Sequence, residues 1–321
     1  MQLKGRKPKI DDSGLVRLPF PAEIAIETHS YCNFRCIICP YSAMKRPKGI
    51  MSKKLLHKII DEVAKESPDT RLWFAIMGEP LMDKNIISHL KYAKENGAHR
   101  LHLNTNGTFL EEQIAKDLAD IEVESVYIAI DALSPEIFDK VRPGGDFQRI
   151  MRNVENFIKL RNEHPTCNTE IVVQFIVMDE NSHEVESFHH YWSKKGVVVK
   201  IRLRQGWGVN VDAPDLKNAK IDRFPCPWLI RTMNVHWTGK VTQCDVDFEE
   251  EYSAGDINHQ TIKDIWDSEL SKRRERHWNY DFEHSLCLNC QDWAAGRAEF
   301  LYPNAESKKN APRWSIGEKT N

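Results

Sequence analysis

Between residues 22 and 204, short β-rich runs alternate with longer segments of helical period, and this alternation constrains the fold most strongly. The β-rich runs are EIAIET, RLWFAIM, HRLHLN, SVYIAID, EIVVQFIVM and VVVKIRLR, separated by helical segments such as SKKLLHKIIDEVAKE. An alternation of this kind is typical of a parallel sheet covered by helices. Six such units predict an α/β fold, a partial (β/α)6 barrel of the TIM type.

The pattern changes after about residue 210. The segment PCPWLIRTMNVHWTGKVTQCDVD contains two β runs joined by a turn at Thr238 and Gly239, which predicts a β-hairpin. A helical segment, TIKDIWDSELSKRRERHW, follows before the sequence CLNC. We therefore predict an N-terminal extension, a barrel domain, a small C-terminal domain of hairpin plus helix, and a polar tail, at residues 1–21, 22–209, 210–300 and 301–321.

Charge and composition limit the partners. The 321 residues include 45 basic and 47 acidic ones, a net charge of −2, which favours neither a nucleic acid nor an anionic membrane as partner. The N-terminus lacks the apolar core of a signal peptide, and no run of apolar residues is long enough to span a membrane. We therefore expect a cytoplasmic protein whose partners include neither a nucleic acid nor a membrane. Cytoplasmic thiols stay reduced, so the eight cysteines are expected to be ligands or catalysts.

Three cysteines, Cys32, Cys36 and Cys39, lie close together directly after the first β run. A structural zinc site needs four protein ligands, and no fourth cysteine follows nearby. Three thiolates instead suit a [4Fe-4S] cluster that keeps one iron open to another ligand. The spacing Cys-x3-Cys-x2-Cys after the first strand of a βα barrel resembles the radical S-adenosylmethionine (SAM) enzymes. The resemblance implies that SAM binds the open iron and is cleaved to a 5'-deoxyadenosyl radical.

Further matches follow the next three β runs, at the end of the barrel where such folds place their active sites. The sequence MGEP resembles the GGEP loop of the family, NTNG resembles its TNG segment, and IDALSPEIFDKVRPGG resembles SxDAxxPExFxxxRxG with alanine in place of the serine. An isoleucine stands where the family usually has an aromatic residue against the adenine. The SAM-binding residues that the resemblance implies are Gly78, Glu79, Pro80, Asn104, Asn106, Asp131, Arg142 and Ile38.

A second set of thiols comprises Cys226, Cys244, Cys287 and Cys290. By spacing alone, a zinc ion bound by four cysteines competes with an iron-sulfur cluster. The sequence GKVTQCDVDFEEEYSAGDINHQTIKDIW with its later CLNC resembles the auxiliary-cluster domains of the SPASM/Twitch group. Four cysteines imply the shorter Twitch form with one auxiliary [4Fe-4S] cluster. The remaining thiol, Cys167, precedes the fifth strand and is expected to be structural.

The reaction is suggested by the same group. The tail and the GEP loop are similar to those of Twitch-type dehydrogenases acting on 2-deoxy-scyllo-inosamine, an aminocyclitol. That resemblance implies oxidation of a secondary alcohol of a sugar or aminocyclitol to a ketone, with a flavodoxin- or ferredoxin-like electron donor. A cluster bound by four cysteines has no open iron, so it would accept an electron. Epimerisation or decarboxylation of a sugar and SPASM-type peptide maturation are the alternatives, although the roughly twenty residues before the first strand are too few for a leader-peptide domain.

Alternation along the strands predicts the residues that contact the substrate. In the sixth run, Lys200, Arg202 and Arg204 share one face, opposite apolar residues that should meet the helices. We therefore expect Arg202 and Arg204 to point into the barrel, with Arg204 nearest its mouth; surface salt bridges are the alternative. Glu27 and His29 alternate inward on the first strand. We predict catalytic roles for Arg204, Arg202 and Glu27, and a buried, hydrogen-bonded His29.

Overall fold

The computed structural model of the protein describes residues 9–10, 16–214, 223, 225–283 and 285–295. All six predicted β runs form strands: β1 Glu23–Ile26, β2 Arg71–Phe74, β3 Leu101–Thr105, β4 Ser125–Ala129, β5 Glu170–Val177 and β6 Val198–Leu203. They pair in this order and all run parallel. The predicted α/β fold with a partial, barrel-like parallel sheet is confirmed. A short ribbon of Lys9–Ile10 with Val16–Arg17 precedes it.

Helices connect the strands and cover the outer face of the sheet. They are α1 Lys53–Glu66, α2 Ile86–Glu95, α3 Glu112–Ile121, α4 Pro135–Val141, α5 Phe147–Glu163 and α6 Val185–Ser193, with short 3-10 turns at Pro40–Ser42, Pro80–Met82 and Ser182–Glu184. In α1, the side chain of Ser52 accepts a hydrogen bond from the Leu55 amide and caps the helix. Its buried face carries Leu56, Ile60 and Val63, the spacing of an amphipathic helix.

The two faces of the strands differ in the way that the alternation predicts. Ile24 and Ile26 of β1 are completely buried against the helices, and so are Leu72 and Phe74 of β2. Burial of each such side chain contributes about 2 kcal/mol. The opposite faces carry the polar and aromatic residues that line the inside of the barrel.

The predicted C-terminal hairpin is present, but it extends the barrel sheet. Strands β7 Thr232–Val235 and β8 Lys240–Thr242 pair antiparallel around a turn in which Gly239 has φ 94°. Strand β7 also pairs parallel with β1, and β9 Gly255–Asp256 completes a nine-stranded sheet of order β9-β8-β7-β1-β2-β3-β4-β5-β6. The hairpin of the predicted small domain is therefore built on the first edge of the barrel.

The predicted C-terminal helix is broken into two. Helix α8 Ile262–Asp267 begins with a capping box between Thr261 and Asp264, and α9 Glu269–Trp278 follows after Ser268 leaves the helical conformation. The other helical segments of this part are α7 Pro227–Arg231, α10 Ser285–Leu288 and a 3-10 turn at Asp292–Ala295. The predicted tail, 301–321, lies outside the described residues. Across the described ranges, no helix combines the length and hydropathy needed to span a membrane.

Candidate active site

A cavity of about 330 Å³ lies inside the curved sheet. It is bounded by the loops that follow β1, β2 and β3, at the end of the strands where βα barrels place their active sites. The predicted site residues that line it are Cys32, Cys36, Ile38, Cys39, Gly78, Glu79, Pro80, Asn104, Asn106, Arg142, Arg202 and Cys244. The predicted residues that are not among its lining residues are Glu27, Asp131, Arg204, Cys226, Cys287 and Cys290.

The first three cysteines share the loop after β1. The Cys39 amide donates to the Cys36 carbonyl at 3.1 Å, and the Cys32 amide donates to the hydroxyl of Tyr41 at 2.9 Å. The pKa of Cys32 is raised to about 11 and that of Cys39 to about 12, mainly by burial, and the neighbouring thiols act in the same direction. Thiols of this kind stay protonated until a metal displaces the protons. The donor set fits a [4Fe-4S] cluster that these three cysteines would bind, leaving one iron open.

The loop after β2 packs against this cysteine loop through its glycine. Gly78 has φ 89°, and a Cβ on it would lie 2.5 Å from the carbonyl oxygen of His29 and 2.9 Å from that of Tyr31. The Glu79 amide donates to the Tyr31 carbonyl at 2.8 Å. The Glu79 carboxylate accepts from the Thr105 hydroxyl at 2.6 Å and the Asn106 amide at 2.7 Å, and burial raises its pKa to about 7. Glu79 therefore joins the loops after β2 and β3.

Replacing Gly78 with alanine (Gly78→Ala) should lower the free energy of unfolding and weaken SAM binding. The added Cβ would clash with two backbone carbonyl oxygens. The positive φ costs a residue with a Cβ about 1 kcal/mol in addition. Gly196→Ala is the matched control, because Gly196 has φ 70° and nothing lies within 4 Å of its added Cβ. Thermal unfolding and SAM dissociation constants of both variants provide the measurement. Equal effects of the two substitutions would contradict the close packing of the loops.

Asp131 and Arg142 form a buried ion pair beside the cysteine loop. The Arg142 guanidinium donates twice to Oδ2 of Asp131, at 2.9 and 2.5 Å, and once to Sγ of Cys36 at 3.5 Å. The other carboxylate oxygen of Asp131 accepts from the Ile176 amide at 2.7 Å. Arg142 lines the cavity while Asp131 lies behind it. The predicted SAM contact of Asp131 would therefore act through the orientation of Arg142.

The remaining predicted SAM contacts differ in whether their polar atoms already form hydrogen bonds within the protein. Asn104 lines the cavity, and its buried Oδ1 has no hydrogen-bond partner within the described part of the chain, so it can accept from a bound molecule. Asn106 instead donates to the Asn33 side chain at 2.9 Å and accepts from the Thr108 amide at 3.0 Å. Ile38 is buried and lines the cavity, as its predicted place against the adenine requires.

The four later cysteines lie near one another at the C-terminal side of the barrel. Burial raises the pKa of Cys244, and the neighbouring thiols of Cys226, Cys290 and Cys287 raise it further. The Cys290 amide donates to the Cys287 carbonyl at 3.2 Å. Of these four, Cys244 also lines the cavity.

The separation of the sulfur atoms favours iron-sulfur clusters over single zinc ions. Zn–S bonds of about 2.3 Å in a tetrahedron hold the sulfurs about 3.8 Å apart. Within the described residues, ligand atoms of Glu27, His236 and Glu250 all lie within 4.8 Å of one another, and no three cysteine sulfurs lie that close together. A [4Fe-4S] cube holds its thiolates further apart than one zinc ion does. Both cysteine sets therefore fit a cluster.

Arg202 and Arg204 lie in different surroundings. Arg202 lines the cavity and donates to Oε1 of Gln174 at 3.3 Å, and Lys200 lines it with Nζ 4.9 Å from the ring centre of Tyr127. Strand β6 ends at Leu203, so Arg204 lies where strand alternation no longer sets the direction of a side chain. Arg204 is not among the lining residues, and its predicted catalytic role stays a prediction.

Glu27 belongs to a buried charge cluster outside the cavity. Its carboxylate pairs with the Arg46 guanidinium and lies 3.6 Å from Nδ1 of His236; Arg46 also lies 3.2 Å from Glu250. Burial acts to raise the pKa of Glu27, but hydrogen bonding and charge from His236 and Arg46 outweigh it and lower the pKa. Glu27, His236 and Glu250 have the donor types of a metal site, but the Arg46 guanidinium already pairs with both carboxylates and offsets part of their charge. This placement favours a structural role for Glu27.

Several cavity residues were not predicted. Trp207 lines the cavity and donates from Nε1 to the Ile38 carbonyl at 3.0 Å, and Asp245 lines it next to Cys244. Asp245 lies within the CDVDF sequence beside a predicted ligand, which was a usable signal; Trp207 carried none. Cys167 is buried and donates to the Thr169 hydroxyl at 3.3 Å near the start of β5, in agreement with a structural role.

The comparisons with known proteins agree with this geometry. The family model of the radical SAM superfamily matches residues 26–190, more than half of the chain. The chain belongs to the radical SAM superfamily. The model of the SPASM iron-sulfur cluster-binding domain matches residues 226–291, which contain the four later cysteines. SAM and a [4Fe-4S] cluster are therefore the cofactors of this radical SAM protein, and its SPASM region holds auxiliary iron-sulfur.

Two relatives show how far the sequence likeness extends. The tungsten-containing aldehyde ferredoxin oxidoreductase cofactor-modifying protein of Pyrococcus furiosus is 28% identical over 173 residues, 54% of this chain and 48% of that protein. A probable GTP 3',8-cyclase of Methanococcus vannielii is 28% identical over 195 residues, 60% of this chain and 61% of that protein. The chain thus spans about half the length of the curated relatives it matches.

Solved structures share the fold. SuiB of Streptococcus suis bound to its precursor peptide SuiA aligns with a TM-score of 0.68 and 13% identity, over 93% of this chain and 76% of that one. BtrN in complex with AdoMet and 2-DOIA aligns with a TM-score of 0.58 and 20% identity, over 84% of this chain and 92% of that one. At these identities the likeness shows the fold alone.

Proposed function

We propose that this radical SAM enzyme oxidises a secondary alcohol of a sugar or aminocyclitol to a ketone. The observation that carries the proposal is the shared cavity, which contacts the three-cysteine loop through Cys32, Cys36 and Cys39 and the auxiliary set through Cys244. A substrate in this cavity lies between the two cluster sites. That arrangement suits a reaction in which a hydrogen atom leaves on one side and an electron leaves on the other.

The chemistry divides between the cofactors and the chain. When bound, SAM and its cluster supply the 5'-deoxyadenosyl radical that abstracts the carbinol hydrogen, and the auxiliary cluster supplies an electron acceptor. The chain orients the alcohol through Arg202 and Gln174, which are joined by a hydrogen bond at the cavity wall. The charge of Arg202 would favour loss of the hydroxyl proton, since a nearby cation lowers the pKa of an acidic group.

The cavity walls support a small, polar substrate. Its polar lining residues beyond the SAM loops are Glu23, Gln174, Lys200, Arg202, Gln205, Thr232, Asn234 and Asp245. Side chains of this kind pair with hydroxyl and amino groups. A volume of about 330 Å³ that SAM must share suits a monosaccharide-sized molecule better than a peptide segment. The fold shared with BtrN, whose structure contains 2-DOIA, is consistent with this substrate class.

The product identifies the reaction. With a panel of aminocyclitols and amino sugars, we expect a carbonyl product two mass units lighter than the substrate and one SAM consumed per turnover. Mass spectrometry in deuterated solvent provides the measurement. A product that differs from the substrate only by one carbon-bound solvent deuterium, about one mass unit heavier, would indicate epimerisation. In parallel assays with sugar acids and with peptides, loss of carbon dioxide would indicate decarboxylation and a modified peptide would indicate maturation.

Arg202→Ala should reduce ketone formation about 100-fold while SAM cleavage without product continues. Ketone formation should fall because a charge-assisted contact to the reacting hydroxyl contributes about 3 kcal/mol. SAM cleavage should continue because the loops that bind SAM follow other strands. Arg152→Ala, at an exposed position of α5, is the control. Parallel assays of ketone and 5'-deoxyadenosine provide the measurement, and wild-type ketone formation would remove Arg202 from the site. Arg204→Ala in the same assay decides the prediction for Arg204.

A further inference from the structure

His29 connects the two loops that form the SAM site. It follows β1, lies three residues before Cys32 and is 5% exposed. Its Nδ1 accepts a hydrogen bond from the Tyr31 amide at 3.1 Å, and its Nε2 lies 2.9 Å from the carbonyl oxygen of Glu79. Because Nδ1 accepts, the neutral ring carries its proton on Nε2 and donates it to Glu79. Burial lowers the pKa of His29, which agrees with a neutral ring.

The bonds of His29 form part of a closed set around Glu79. The Glu79 amide donates to the Tyr31 carbonyl across the two loops, while the Tyr31 amide donates to His29 within its own segment. On its other side, the Glu79 carboxylate is held by Thr105 and Asn106. The Glu79 carbonyl accepts from the Met82 amide at 2.9 Å within its own 3-10 turn, and the imidazole adds the bond that joins this carbonyl to the segment that carries the cluster cysteines.

We propose that His29 is a positioning residue for SAM, in which the bond from Nε2 to the Glu79 carbonyl holds the GEP loop in register with the cysteine loop. Gly78 and Pro80 flank this carbonyl and line the cavity beside the three cysteines. A rotation of the Glu79 peptide would move both lining residues away from the cluster side. His29 itself is not among the residues that line the cavity, so it acts through this loop.

The two ring nitrogens can be tested one at a time. Asparagine at this position (His29→Asn) keeps an acceptor where Nδ1 lies and removes the donor to Glu79. Glutamine (His29→Gln) keeps a donor where Nε2 lies and removes the acceptor for the Tyr31 amide. Since the proposal assigns SAM positioning to the Nε2 bond, the two variants should differ in SAM affinity at equal cluster content.

The experiment uses the full chain with both clusters reconstituted under anaerobic conditions. We expect wild-type iron content in both variants, SAM affinity within about twofold of wild type for His29→Gln, and about tenfold weaker binding for His29→Asn, which corresponds to 1.4 kcal/mol. Equilibrium dialysis gives the affinity. The EPR spectrum of the reduced cluster, titrated with SAM, should change at correspondingly higher SAM concentration in His29→Asn.

Three results would overturn the proposal: wild-type SAM affinity in His29→Asn, equal weakening in both variants, or loss of iron from either of them. The last two would show that His29 only supports the fold of the cysteine loop. The assay contains no alcohol substrate, so its outcome is independent of the proposed oxidation.

Discussion

Cys36→Ala is expected to abolish 5'-deoxyadenosine formation and to lower the iron content of the reconstituted protein from about eight to about four per chain. Cys36 is one of three thiols on the loop after β1, and Arg142 donates to its sulfur at 3.5 Å. A cluster with one iron open to SAM has three protein ligands, and this variant leaves it with two. The cluster then has too few thiolates to remain bound in the geometry that cleaves SAM.

The control for this variant is Cys167→Ala. Cys167 is a buried cysteine whose thiol bonds to Thr169 and lies outside the cavity lining. We expect this control to keep its iron and its SAM cleavage. Iron analysis and chromatographic detection of 5'-deoxyadenosine under strong reductant give the two measurements. Retained cleavage in Cys36→Ala would refute the assignment of the three-cysteine site.

Strands β1 to β5 could be predicted because each one buries apolar side chains, whereas the residues of β6 are only partly buried or exposed. Ile24 and Ile26 alternate with residues of the inner face, and this period of two is readable without any knowledge of the partner strand. The position of the hairpin in the sheet could not be predicted from such a pattern. Strand β7 pairs with β1, about two hundred residues earlier, and its internal pattern is the same whether it extends the barrel or stands apart. The break between α8 and α9 at Ser268 could not be predicted either, because the helical pattern of the sequence continues across it.

The parts of the candidate site formed by loops with recognisable motifs could be predicted from the sequence. The positions of single side chains outside these motifs were harder to predict. The cysteine and GEP loops face one cavity because they follow neighbouring parallel strands. Alternation predicts that Glu27 points into the barrel, but it lies just beyond the end of β1, and Arg46 and His236 from distant segments pair with its carboxylate. The sequence around Glu27 does not predict partners that come from distant segments. The same limit applies to Trp207, which reaches the cavity through a turn.

Removal of the auxiliary cluster should separate SAM cleavage from alcohol oxidation. In the double variant Cys287→Ala/Cys290→Ala, we expect about four irons per chain, continued formation of 5'-deoxyadenosine, and a fall in ketone of about 100-fold or more. Oxidation to a ketone removes two electrons from the alcohol, one with the abstracted hydrogen atom and one afterwards. Without the auxiliary cluster, the second electron has no acceptor next to the cavity.

The structure indicates a path for the second electron and provides a control variant. Cys244 belongs to the auxiliary set and also lines the cavity, so the shortest path from the substrate to that set passes through it. The control is again Cys167→Ala, which should keep both clusters and the wild-type ratio of ketone to 5'-deoxyadenosine. Metal analysis separates the alternatives at the four-cysteine site, since zinc in the wild-type protein would contradict the auxiliary iron-sulfur cluster. Undiminished ketone formation in the double variant would show that the electron leaves by another path, and the proposed role of the auxiliary cluster would then be wrong.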